Sequence, residues 1–507
     1  MLSKKLPVTL GAVALYLSID ATVGFAQINY TNNFLTDPNS GYFQDSVLEE
    51  SKAAADAVAE VAELGIEEAV PDLEKIIEDL EKRIDELEEA NEPEEEEPEE
   101  YKPPSKPSWS WTGRIHADYW GYPNESESIG FFENPDPASA AFGDDTEDRF
   151  AFRRLRLGMK GDVLETMLYK LEVDYNNPGR PEYKDIYLGW KELPHNQTLL
   201  LGNQKRPLGM DHLNSSRYNV FMERPLVVEA FNEDARRIGL AMYGYTDDEL
   251  FHWRYGVYNL ENTSTDGRFI GDSLQLSANA RLSSSPWYDE SSGGRGYFHW
   301  AVAGMYARPD GDNFAADTNS NDGRFRTRGE NRSDSRWLNT GRIAGISDYE
   351  ILALESALNV GSVQVVSEFQ ANWTQRDAGS ELFFHGGYVQ VSYFLTGEHQ
   401  PYNRQQGIIG RVKPFENFFL VDRCGGGRGL GLGALQIAAR FSYLDLSDDD
   451  VLGGVGSNFT AGLNWFWTAY SKVQLNYIYG DIQEHSPVGG FTEGTYNVIG
   501  TRFMVDF

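Results

Sequence analysis

From residue 109 to the C-terminus the chain alternates apolar and polar residues in a long series of short segments. Tyr169, Leu171, Val173 and Tyr175 alternate with Lys170, Glu172, Asp174 and Asn176. Leu435, Ile437, Ala439, Phe441 and Tyr443 alternate with Gln436, Arg440 and Ser442, and Val473, Leu475, Tyr477 and Tyr479 with Lys472, Gln474 and Asn476. A period of two is that of a β-strand with one apolar and one polar face. A soluble all-β protein with one wet face shows the same alternation. A whole series of such strands, with aromatics on the apolar face and charges on the other, fits lipid outside and water inside. It predicts an all-β fold, a transmembrane antiparallel β-barrel. Eighteen segments read as strands: 109–121, 150–161, 164–176, 183–193, 196–206, 236–246, 250–262, 272–285, 294–308, 322–330, 349–360, 362–375, 385–397, 405–419, 431–446, 455–466, 469–481 and 493–507. The weakest is 322–330.

The connectors carry a second signal. The first strand pair is joined by a long stretch and the second by Asp162 and Val163 alone. Pro194 and His195 separate segments four and five, a long stretch follows segment five, and Asp247 to Glu249 follow segment six. Long outside loops and short periplasmic turns alternate in this way in an outer-membrane barrel. The alternation weakens after segment seven, and the break near Gly361 is too short for an outside loop. The final residue, Phe507, shares one strand face with Val505, Phe503 and Ile499. That face is expected to meet lipid, with Phe507 acting as an assembly signal.

The N-terminal region is organised differently. Lys4 and Lys5 precede the apolar run Leu6 to Leu17, and Gly24 and Ala26 fit a small-residue cleavage site. Residues 1–26 therefore read as a secretory signal peptide, too short in its apolar run for a membrane anchor. Residues 27–45 form an irregular lead and 46–90 a helical segment. Within it Leu73, Ile77, Leu80, Ile84 and Leu87 follow spacings of four and three, a heptad seam for a short periplasmic coiled coil. A lone amphipathic helix is the alternative. Residues 91–108, rich in Glu and Pro, predict an extended, disordered linker to the barrel at 109–507.

The formal charge is −34, unevenly spread. Residues 45–100 hold 24 acidic and 4 basic side chains, whereas 101–507 hold 52 and 38. Such acidity argues against nucleic acid as a partner, but most of it lies outside the barrel and does not set the preference of a pore. The single cysteine, Cys424, excludes an intrachain disulfide. The eight histidines show no metal-ligand spacing. Asp310, Asp312 and Asp317, with Asp322, form a polar loop read as solvated rather than calcium-binding. No metal or cofactor is expected.

A channel works through the size, field and polarity of its constriction. The long connector 207–235 is the candidate. Phe221, Leu226, Val227, Val228 and Phe231 would pin it to the inner wall, leaving Arg217, Glu223, Arg224, Glu229, Glu233 and Asp234 to the lumen. Arg154, Arg156 and Lys160 lie on the polar face of their strand, Lys205 and Arg206 end another, and Arg236 and Arg237 open the next. These residues form either a basic track for anions or ion pairs with carboxylates such as Glu172, Asp174 and Glu223. The first reading predicts a weak to moderate anion preference carried by Arg217, Arg224, Arg154 and Arg156. A barrel hydrolase is the competing class, but no Ser or acidic nucleophile with a partner His stands out. A structural tether built on the coiled coil is a third.

Several runs resemble the phosphate-selective porin family. Arg153 to Gly161 followed by Tyr169 to Tyr175 is similar to its second and third strands, and Leu201 to Gly209 to its fifth. Ser215-Ser216-Arg217 and Phe221 to Pro225 resemble its inward-folded third loop, and Arg440 to Leu446 a late strand. The resemblance covers about 109–507. It implies a sixteen-stranded barrel, which favours sixteen over eighteen strands. It also implies a homo-oligomer, a trimer, in outer-membrane lipid, passing small hydrophilic solutes and ions, anions such as phosphate among them. The family's phosphate-trapping lysines find no match here, and the acidic N-terminal helix departs from its pattern.

Overall fold

The computed structural model describes residues 107–507, apart from 178, 233–235, 263–274, 310–320, 378 and 423–426, together with Lys82. The expected signal peptide, the lead, the seam from Leu73 to Leu87 and nearly all of the linker lie outside the described residues. So do Glu233, Asp234, Asp310, Asp312, Asp317 and Cys424.

The described chain closes into an antiparallel barrel of sixteen strands. They are β1 (Ser110–Glu125), β2 (Arg149–Leu164), β3 (Met167–Asp174), β4 (Glu182–Leu193), β5 (Gln197–Lys205), β6 (Arg236–Tyr245), β7 (Phe251–Asn259), β8 (Leu276–Tyr288) and β9 (Gly296–Arg308), then β12 (Ile346–Val360), β13 (Val363–Arg376) and β14 (Leu382–Phe394), and finally β19 (Ala434–Asp448), β20 (Val451–Thr468), β21 (Ser471–His485) and β22 (Gly494–Asp506). Each pairs with its predecessor in this order, and β22 pairs with β1 from Arg114↔Asp506 to Glu125↔Tyr496. The closure leaves no strand edge unpaired, the condition for carrying a sheet through hydrocarbon.

Two of the eighteen expected strands are not in the wall. Segment 322–330 contributes β10 (Arg324–Thr327), which pairs only with β11 (Leu338–Arg342) inside loop 309–345. Segment 405–419 holds β16 (Ile408–Ile409), which pairs with β15 (Tyr402–Asn403) just before it, and the start of β17 (Phe418–Asp422), which pairs with β18 (Arg428–Leu432). Gly407, Gly410 and Pro414 interrupt it, and proline cannot donate to a central ladder. Removing 322–330 also restores the parity of the connectors. Gly361 and Ser362 then join the tenth and eleventh wall strands at the rim that carries the chain termini, where short turns belong. One connector at this rim is long: 395–433, between β14 and β19.

Alternation sorts the side chains as the period demands. In β22, Ile499, Phe503 and Val505 are exposed on the outer face, while Val498, Arg502 and Asp506 are buried inside. Two loops fold into the barrel interior. Leu226–Phe231 forms a short helix in loop 206–235. Its Phe231 meets Phe325 of β10 edge-on at 5.6 Å, and Phe325 in turn meets Tyr349 and Phe384 of the wall at 5.2 and 5.8 Å. Trp337 packs on Tyr496 at 4.8 Å. Apolar residues of two inward loops thus build a hydrophobic core against the inner wall.

The last residue finishes the closure. Gly113 N–H donates to the Phe507 carbonyl at 2.9 Å, and Phe507 N–H returns to the Gly113 carbonyl at 3.1 Å. The Phe507 ring lies over Gly113, in space that a Cβ there would occupy. Gly113→Val should swing this ring off the wall and lower the yield of assembled barrel on a heat-modifiability gel. A wild-type yield at native expression would show that the seat is dispensable.

Candidate functional site: the charged lumen

The strand period places Arg154 and Arg156 inside the barrel, both buried. Arg153 should face outward with Leu155, but it does not. His116 pairs with Arg154 and Ala117 with Phe152, so Arg153 is the extra residue of a β-bulge. The bulge turns two consecutive arginines into the lumen. Arg153 grips Glu223 of loop 206–235 through two bonds of 2.7 and 3.0 Å. Arg502 of β22 donates to the same carboxylate at 2.8 Å, and Arg440 of β19 to the Glu223 carbonyl at 3.1 Å. Burial acts to raise the Glu223 pKa, but the Arg153 guanidinium outweighs it and holds the carboxyl well below the usual range.

Glu330 is the matching anchor of loop 309–345. It takes Arg440 at 2.5 Å and the Thr460 hydroxyl at 3.0 Å, and accepts the Leu226 N–H at the start of the short helix at 3.2 Å. One carboxylate therefore ties both inward loops to the wall. Its backbone stands at φ 59°, which a non-glycine residue adopts only when its surroundings hold it there. Arg332, from the same loop, lies near Arg153 and Glu223. Burial, then repulsion from Arg153 and Arg328, brings its pKa down to about 9, so it stays cationic at neutral pH.

The expected site residues separate into two groups. Arg156 is paired with Asp174 at 2.7 Å and Glu172 at 3.1 Å, and Arg236 with Asp185 at 2.5 Å. Arg224 pairs with Asp211 at 3.2 Å. Arg217 pairs with Asp506 at 3.3 Å and also donates to Thr112 at 2.8 Å. These are the ion pairs that the sequence left as the alternative to a basic track. The others have no carboxylate partner among the described residues. Arg154 meets the His116 ring, and Lys205 donates to the carbonyls of His212, Leu213 and Asn214. Arg237 donates to the carbonyls of Leu260 and Arg236, and Arg206 lies against Met305. Lys160 is exposed near the terminus-bearing rim, away from the buried group. The apolar anchors of the loop, Phe221, Leu226, Val227, Val228 and Phe231, are all buried.

Arg206 and Arg237 meet loop 309–345 at a cavity of about 200 Å³ towards the opposite rim. Arg324, Arg326 and Arg342 also line it, and among the described residues Asp322 is the one lining carboxylate. Five guanidinium groups thus converge on one space. Their signal in the sequence was the dense run from Arg324 to Arg342, passed over as a weak strand. No sequence signal announced Arg153, because a bulge is a property of pairing.

At the terminus-bearing rim connector 395–433 folds into the lumen. Arg281 donates to the Gly407 carbonyl at 3.0 Å, and Ile409 N–H to Asn214 of loop 206–235 at 3.0 Å. Arg411 reaches Asp506 at 2.5 Å and lies over the Tyr470 ring at 4.4 Å. Between Arg217, Tyr218 and Arg411 a space of about 10 Å³ remains, room for about one water. Nearby, Ser283 Oγ stands 2.6 Å from His252 Nδ1. The second His252 nitrogen is buried without a partner, so the pair lacks the carboxylate that would orient a catalytic base.

Two outcomes follow from the anchors. Glu330→Ala leaves Arg440 buried and uncompensated, which costs about 3–5 kcal/mol. The inward loop should loosen, seen as larger and noisier single-channel conductance; unchanged conductance would mean that apolar packing alone holds it. For Glu223 the folded pKa is depressed, so its contribution is complete above the ordinary 4.5 and is lost as pH falls through the lower folded value. Conductance should therefore stay flat near neutrality and change only in strong acid.

The chain is similar to several known proteins. An uncharacterised protein of Caulobacter vibrioides is 27% identical over 361 residues, covering 70% of this chain and 68% of that one. Porin O of Pseudomonas aeruginosa is 22% identical over 404 residues, covering 73% and 82%. The solved anion-selective porin from Comamonas acidovorans has 13% identity and a TM-score of 0.46, covering 79% of this chain and 100% of that one. The model of the family described as phosphate-selective porin O and P matches residues 130–507, three quarters of the sequence. A closed sixteen-stranded wall, apolar outside and charged inside, carries that match, and the chain belongs to this family of pore-forming outer-membrane porins.

Proposed function

We propose that this porin passes small hydrophilic solutes with a preference for anions, phosphate among them. The observation that carries the reading is the cavity on which Arg206, Arg237, Arg324, Arg326 and Arg342 converge, with Asp322 also among its described lining residues. Screening reaches about 10 Å at 0.1 M salt, so charge lining the lumen sets the local field. Arg217, Arg224 and Arg156 add less, because each stands beside a carboxylate. Arg154, Lys160, Lys205 and Arg236 make up the rest of the pathway. Arg206→Gln with Arg237→Gln should shift the reversal potential in a potassium chloride gradient towards cations. A wild-type pore that already selects cations would overturn the reading.

The outer face of the wall is proposed to sit in lipid, with the terminus-bearing rim towards the periplasm and Phe507 as the assembly signal. Residues 1–26 would be removed on export. The barrel is proposed to form a trimer, aligned below the membrane by helical segment 46–90 through Leu73, Ile77, Leu80, Ile84 and Leu87. The heptad spacing supports this. A peptide of residues 66–90 should self-associate, and charge placed at Leu80 and Ile84 should abolish it by analytical ultracentrifugation. A wild-type peptide that stays monomeric at high concentration would reduce the seam to an amphipathic face.

A further inference from the structure

Connector 395–433 does not end in the lumen. Its β17–β18 hairpin leaves the barrel interior and roots on the outer wall. Phe418 packs edge-on against Trp465 of β20 at 4.6 Å and stacks on Trp467 at 5.7 Å. Trp465 Nε1 donates to the Leu432 carbonyl at 2.7 Å. Both tryptophans face outward, because Asn464 and Phe466 between and beside them are buried inward. Trp467 continues the contact to Phe503 at 6.4 Å, on the outer face of β22.

The composition of this hairpin is unusual for a structure in water. Its ladder pairs Phe418 with Leu432, Leu420 with Leu430 and Asp422 with Arg428 on one face. The other face holds Phe419, Val421, Gly429 and Gly431. Neither face is polar. Phe419, Leu420, Leu430 and Leu432 are exposed by 53 to 69%. Among the described residues of the two strands, only Asp422 and Arg428 are charged, and they pair at the far end at 3.3 Å. An isolated two-stranded hairpin is marginal in water even with a wet face. A second protein seated on one face would leave the other in water.

We propose that this hairpin is a lipid anchor, inserted into the headgroup and acyl boundary of the leaflet at the terminus-bearing rim. It continues the outward aromatic belt of Trp465, Trp467 and Phe503, the kind of girdle that barrels place at the membrane interface. The apolar stem is surrounded by lipid on both faces, and the Asp422–Arg428 pair lies in water. The anchor fixes the connector whose other part occupies the lumen, so lipid contact and pore shape share one segment. The inference rests on the reading of the outer wall as lipid-facing.

The test uses the full barrel in vesicles of phosphatidylethanolamine and phosphatidylglycerol, with Cys424→Ser removing the native thiol. Leu430→Cys, Arg428→Cys and, on the wall, Phe459→Cys each carry a nitroxide, with wild-type conductance confirming the fold. Relaxation by a water-soluble nickel chelate should be lost at 430 and 459 and retained at 428, with oxygen relaxing 430 strongly. Nickel relaxation at 430 with protection at 459 overturns the anchor alone. Spin–spin coupling between 430 labels of neighbouring chains overturns it in favour of a subunit contact. Nickel relaxation at 459 as well overturns the lipid-facing wall, and the anchor with it.

Discussion

The interior of this barrel depends on carboxylates that come from loops and guanidinium groups that come from the wall. Glu223 is held by Arg153 and Arg502, and Glu330 by Arg440. A buried charge is tolerated only when it is paired and hydrogen-bonded. Because wall and loop each carry one half of the pair, neither half is satisfied unless the loop is inside. The wall arginines therefore demand the inward loops, and the loops demand the arginines. Apolar packing of Phe231, Phe325 and Trp337 adds contact area to an arrangement whose register the ion pairs specify.

The same compensation shapes the field of the pore. Where a carboxylate of a neighbouring wall strand meets a wall arginine, as Asp174 meets Arg156 and Asp185 meets Arg236, the charges cancel locally. Among the described residues, loop 309–345 brings Arg324, Arg326 and Arg342 to the space beside Arg206 and Arg237. Selectivity in this reading is what remains after structural pairing is subtracted. It sits towards one end of the lumen, while connector 395–433 narrows the other.

The barrel itself was legible because the period-two alternation is physically obligatory. A strand between lipid and water must turn apolar residues outward at every second position, and closure leaves no edge to be read otherwise. Sixteen of the eighteen expected segments are wall strands for that reason. The two exceptions, 322–330 and 405–419, carry strand-like stretches but spend them on short local hairpins. Alternation reports that a segment has two faces. It does not report which partner its backbone bonds.

The sequence by itself thus determined the architecture, the face of the regularly paired wall residues and the burial of Phe221, Leu226, Val227, Val228 and Phe231 in an inward loop. It also named part of the basic set, from Arg154 and Arg156 to Arg236 and Arg237, but not Arg153 or the arginines of loop 309–345. Tertiary structure alone decided which of them keep their field. A bulge at Arg153, set by pairing with β1, put a second arginine inside. Ion pairing between residues far apart in the chain, such as Arg217 with Asp506, neutralised some candidates. The approach of loop 309–345 concentrated others. Local pattern fixes the direction of a side chain, because that depends on its own backbone. Net charge at a point depends on every group within a few ångströms, and only the closed barrel sets that neighbourhood.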